Sequence, residues 1–106
     1  MITSTIPGIQ ASLDFLISYL PSHSLLKAAW IFGSVAEGRE TEESDIDIAI
    51  LCDNYDEFVD NSTAKGNWWS HLELGCKVHI DYVVSDDVKN FNHLDNWESA
   101  VKIYER

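Results

Sequence analysis

The chain has 106 residues, of which 45% are hydrophobic and 11% aromatic, a size and composition suited to one domain with one core, taken here as residues 1–106. Eighteen Asp and Glu against seven Lys and Arg leave a formal net charge of -11, which repels phosphate backbones and argues against a free-standing nucleic-acid binder. Such a surface suits a basic protein partner or a cationic small molecule. No apolar run reaches the roughly 18 residues that span a bilayer. The first residues lack a basic segment followed by an apolar block, so a cytoplasmic protein is expected. Two cysteines, Cys52 and Cys76, make neither a disulfide framework nor a metal-spacing motif and read as small hydrophobes.

Ile9, Leu13, Leu16, Ile17 and Leu20 recur at helical spacing and predict a helix over 8–20, with Pro7 acceptable in its first turn and Pro21 ending the pattern. "AAWIF" predicts a short buried strand. "SDIDIAIL" predicts a second, in which Ile46, Ile48 and Ile50 alternate with Asp45, Asp47, Ala49 and Leu51. The polar run "DNYDEFVDNSTAKGN", with Gly66 near its end, reads as a loop or a weak helix. Trp68, Trp69, Leu72 and Leu74 suggest a turn or two of helix before Gly75. "KVHIDYVV" predicts a third strand, with Val78, Ile80, Tyr82 and Val84 on one face and His79, Asp81 and Val83 on the other. In the tail, Leu94, Trp97, Val101 and Tyr104 fit a helix, while "VKIYE" alternates like an edge strand.

The chemistry concentrates in "WIFGSVAEGRETEESDIDIAIL". Side chains of a strand repeat every two residues, so Asp45 and Asp47 share a face while the isoleucines between them pack inward. Two close carboxylates repel, burial sharpens the repulsion, and a divalent cation relieves it. Oxygen ligands favour Mg²⁺, which takes one or two protein carboxylates together with substrate phosphates. Upstream, Gly33 permits backbone angles closed to other residues and close approach of a phosphate. Ser34 offers a hydroxyl and an N–H, and a helical turn beginning there would point free N–H groups at an anion. A phosphate cradle beside a metal platform is the equipment of phosphoryl or nucleotidyl transfer. The four histidines, His23, His71, His79 and His93, have no metal spacing and read as structural or exposed.

Gly-Ser, ten residues ("VAEGRETEES"), then "DID" resembles the minimal nucleotidyltransferase family of the DNA polymerase beta superfamily. The preceding helix and the carboxylate in "HIDYVV" are similar to the rest of the family layout. The resemblance implies an α/β (α+β) fold, a small mixed sheet packed with helices like a polymerase palm. It implies that Gly33 and Ser34, with Arg39 and Ser44, hold the nucleotide. It also implies that Asp45, Asp47 and Asp81 bind two Mg²⁺ ions and act in catalysis with ATP as substrate. One position departs from the pattern: many members read Gly-Ser-x-Ala-Arg-Gly, and Glu37 stands where that arginine would be, with Arg39 two residues on as the candidate for the missing charge. Minimal members pair with basic helical proteins of the HEPN family, which act as toxins. The resemblance therefore implies an antitoxin that moves AMP onto a tyrosine of such a partner. An aminoglycoside-type adenylyltransferase and a catalytically weak module that neutralises a partner by contact are the alternatives.

Overall fold

A computed structural model describes residues 2–64 and 67–106; Gly66 lies outside the described residues. The order of elements is α1 (Pro7–Tyr19), a 3₁₀ turn (Leu20–Ser22), β1 (Leu26–Phe32), α2 (Gly33–Glu37), β2 (Ile46–Cys52), α3 (Tyr55–Thr63), α4 (Trp68–Gly75) and β3 (Ile80–Ser85). Two 3₁₀ turns (Val88–His93 and Trp97–Ser99) and β4 (Val101–Glu105) follow. The strands form one mixed sheet in the order β3-β2-β1-β4. β2 runs antiparallel to β1 and parallel to β3, and β4 pairs antiparallel with β1. The architecture is the small mixed sheet packed with helices that the family resemblance implies.

The alternation in β2 builds two faces. Ile46, Ile48 and Ile50 are fully buried with Ile9, Leu13 and Leu16 of α1, Leu20, and Leu72 of α4, forming the main core. Burying each such side chain is worth about 1.5–3 kcal/mol. The opposite face carries Asp47 and Ala49, which pair with Phe32 and Trp30 of β1. Part of that face is roofed by the segment between β3 and β4: Trp30 lies 5.8 Å from Phe91 and 5.6 Å from Trp97, ring centre to ring centre. The roof leaves the Asp47 end of the face open, and that opening positions the site.

Observed and predicted elements differ in informative places. α1 ends at Tyr19 and tightens into the 3₁₀ turn that accommodates Pro21. β3 begins at Ile80 rather than Lys77, level with the start of its partner β2 at Ile46. The "weak helix" is α3, capped by the Asn54 side chain, which accepts from the Glu57 N–H at 3.0 Å. The tail resolves as the edge strand β4. Leu74, expected with the apolar set of α4, is exposed. Trp68 and Trp69 are structural: Trp68 stacks 5.2 Å from Tyr19 and Trp69 meets Tyr82 at 4.2 Å.

Candidate active site

The site begins at the end of β1. Phe32 pairs with Asp47 across the β1–β2 ladder, so the next residue, Gly33, faces the Asp47 carboxylate. Gly33 adopts φ +75, in the left-handed region, and a Cβ there would fall on the Asp47 Oδ2. Glycine is needed at this position on two counts, backbone angle and space. α2 then closes in five residues, with Gly38 in the left-handed conformation as its C-terminal cap (φ 73, ψ 21). The backbone N–H of Arg39 donates to the Ser34 carbonyl at 2.9 Å. The loop back to β2 is closed by Ser44, whose Oγ accepts from the Thr41 N–H at 2.8 Å and whose N–H donates to the Thr41 carbonyl at 3.0 Å. Ser44 thus delivers the chain into Asp45.

Parallel register brings the carboxylates together. Asp47 pairs with Asp81, and Ile46 with Ile80. Asp45 precedes the first paired residue and is exposed, as is Asp81. Asp47 is half-buried, and its carboxyl is raised above the ordinary carboxylate range, first by burial and then by the charges of Asp81 and Asp45. Ligand atoms of Asp45, His79 and Asp81 lie within 4.8 Å of one another. His79 is exposed, as its lack of metal spacing suggests, yet it stands inside this cluster. "HID" repeats the alternation of "DID" on the neighbouring strand, and that is the signal that could have singled it out. The donor set of Asp45, His79 and Asp81 at this spacing fits a divalent cation; Asp47, whose carboxyl is pushed toward its protonated form by burial and then by its charged neighbours, stands beside that group rather than in it.

Beside the acids is a cavity of about 490 Å³, lined by Phe32, Gly33, Glu37, Arg39, Asp47 and the segment His93–Asn96. That segment carried no signal in the sequence as part of a site; the long-range packing of Phe91 and Trp97 puts it there. Glu37 forms part of the cavity wall. Its Oε1 accepts from Arg39 Nη2 at 3.0 Å and from Asn96 Nδ2 at 3.1 Å. Arg39, the candidate for the missing charge, lines the cavity with its guanidinium paired to Glu37. Ser34 and Ser44 are not among the lining residues.

The polymerase beta nucleotidyltransferase family matches residues 15–106. The chain belongs to that family. Its fold is also that of a candidate nucleotidyltransferase from Sulfolobus solfataricus, known from a 1.40 Å crystal structure. The two agree with a TM-score of 0.58 at 24% identity, over 93% of this chain and 84% of the other. No curated protein sequence matches the chain. Within the family frame the chain is a nucleotidyltransferase, with the Gly-Ser turn and the aspartates at one end of the sheet.

Proposed function

We propose that the chain moves AMP from ATP to an acceptor hydroxyl, and that the acceptor is a tyrosine of a basic, helical HEPN-type partner. The observation that carries the transfer reading is Asp47. Its carboxylate is wedged against Gly33, in register with Asp81, at the edge of a cavity large enough for a nucleotide. Pockets of about 300–1,000 Å³ are typical of small-molecule sites.

Asp45, Asp47 and Asp81 would hold Mg²⁺, which when bound supplies positive charge at the attacking and leaving oxygens. Gly33, which lines the cavity, would present backbone to the phosphates with no side chain in the way. Asp81, exposed on the edge strand, would take the proton of the incoming hydroxyl. The acceptor oxygen bonds to the α-phosphorus, the bond from that phosphorus to the bridging oxygen breaks, and pyrophosphate leaves. The acidic end of the sheet is open to solvent on the side of Asp45, His79 and Asp81, which suits an acceptor presented by another protein. The net charge of -11 would draw a basic partner to it.

The test is to mix the chain with the protein encoded beside it and Mg-ATP and to record intact mass. A gain of one or more AMP units on a tyrosine of the neighbour, absent with Asp47→Asn, is the expected result. An unchanged neighbour together with an adenylylated aminoglycoside would replace this reading with the small-molecule one.

A second reading, neutralisation by contact without transfer, draws on the pairing of Glu37 with Arg39 and Asn96, which sets a carboxylate on the cavity wall. Complex formation with no AMP transfer, unaffected by Asp47→Asn, would favour it.

A further inference from the structure

His79 lies outside the Gly-Ser and Asp-x-Asp signature, yet the register that sets Asp47 beside Asp81 also sets His79 beside Asp45. The Ile46 N–H donates to the His79 carbonyl at 3.0 Å, which fixes the two chains at this point. The imidazole is exposed, with Nδ1 3.6 Å from Asp81 Oδ1. That separation is too long for a hydrogen bond. It is close to the spacing of two ligands on one ion: with bonds of about 2.1 Å, octahedral ligands stand about 3 Å apart when adjacent and about 4.2 Å apart when opposite. Ligand atoms of Asp45, His79 and Asp81 lie within 4.8 Å of one another, so modest side-chain rotation of three exposed groups suffices to close on an ion.

We infer that His79 is a nitrogen ligand of the cation position shared by Asp45 and Asp81, and that it biases this site from Mg²⁺ toward divalent first-row transition ions. The inference rests on the reading of the acidic cluster as a metal site. An all-oxygen set with water suits Mg²⁺, whereas imidazole is a softer donor that transition ions accept readily and Mg²⁺ takes poorly. A carboxylate pair with one imidazole is therefore a specificity device, added on the neighbouring strand without disturbing the aspartates.

Mn²⁺ alone is the probe. In the whole chain, pulsed EPR of bound Mn²⁺ should show coupling to a ligand nitrogen, and that coupling should disappear in His79→Gln. By titration, the variant should lose on the order of tenfold in affinity for Mn²⁺ and Co²⁺, while its affinity for Mg²⁺ changes much less. Asp47→Asn separates the two claims. Mn²⁺ bound by the wild type, weakened in Asp47→Asn but without nitrogen coupling, would overturn the role of His79 and leave the metal site standing. Absence of Mn²⁺ and Mg²⁺ binding in the wild type would overturn both.

Discussion

Asp47 sits at the meeting point of two opposed demands. The strand needs its neighbours buried, and the proposed metal site needs its charge. Its carboxyl is raised above the ordinary value of 3.8 by burial first and by Asp81 and Asp45 second. With the pKa raised in the folded state, ionised Asp47 costs the fold stability at every pH above that raised value. The cost is relieved as pH falls through the raised value toward the ordinary one, because the folded state binds the proton first. Asp47→Asn should therefore raise the melting temperature at pH 8 without metal, with an advantage that shrinks on acidification through that window. Transfer should fall about a hundredfold or more, since charge stabilisation in the transition state is lost. A variant less stable than wild type at pH 8 would contradict the repulsion. Glu37 allows a second test at this scale. It holds Arg39 at 3.0 Å on the wall of the cavity. Glu37→Arg removes one negative charge, adds a positive one and frees Arg39, so ATP should bind several-fold more tightly by calorimetry. Weaker binding would mean that the Glu37 contacts to Arg39 and Asn96 shape the nucleotide site. The two cysteines are not poised for reaction: burial pushes both thiols up to about 11.

At the scale of elements, local pattern and long-range packing divide the credit. α1, β1 and β2 were legible because each carries its own period, 3.6 or 2, and each faces a single core. Asp45 and Asp47 were legible for the same reason. α3 was harder, because its apolar stripe is thin and only Phe58 and Ser62 are buried. Its start signal, Asn54 followed three residues later by Glu57, was nonetheless present. The tail stayed ambiguous because β4 gains its partner from β1, some seventy positions earlier, and no local period encodes that pairing. The cavity wall at His93–Asn96 was illegible for the same reason. Contacts between elements also rest on small polar residues that periodicity does not mark. Ser12, fully buried on α1, donates from Oγ to the Gly8 carbonyl and accepts the Lys77 N–H, each at 2.8 Å. It thus ties α1 to the segment that leads into β3 and its Asp81. Ser12→Ala leaves that N–H without its partner, and the chain should lose about 1–3 kcal/mol of stability. In urea this would be read as a lower midpoint with an unchanged slope. An unchanged midpoint would show that the Lys77 amide finds another acceptor.

The whole molecule carries its charge as a strain of its own. Eighteen acids face seven Lys and Arg, and the acids at the end of the sheet are close enough to repel directly. Favourable pairs exist, such as Arg106 with Asp53, two bonds of 2.7 Å that pin the last residue beside β2 and hold the Asp53 carboxyl below its usual range. Exposed pairs of this kind contribute little, so repulsion dominates the balance. Monovalent salt screens repulsion between exposed charges over about 10 Å at 0.1 M. The melting temperature should therefore rise between 10 mM and 500 mM NaCl, where a protein held by surface ion pairs would show a fall. A divalent cation should act through two routes: general screening, and occupancy of the acidic cluster, which stabilises the folded chain by ligand linkage. At matched ionic strength, millimolar MgCl₂ should exceed NaCl in its effect on the wild type. In Asp47→Asn the excess should shrink while the response to NaCl persists. Equal effects of the two salts in the wild type would mean that the acids respond only as a diffuse charge, and that the carboxylates aligned across β2 and β3 do not gather an ion.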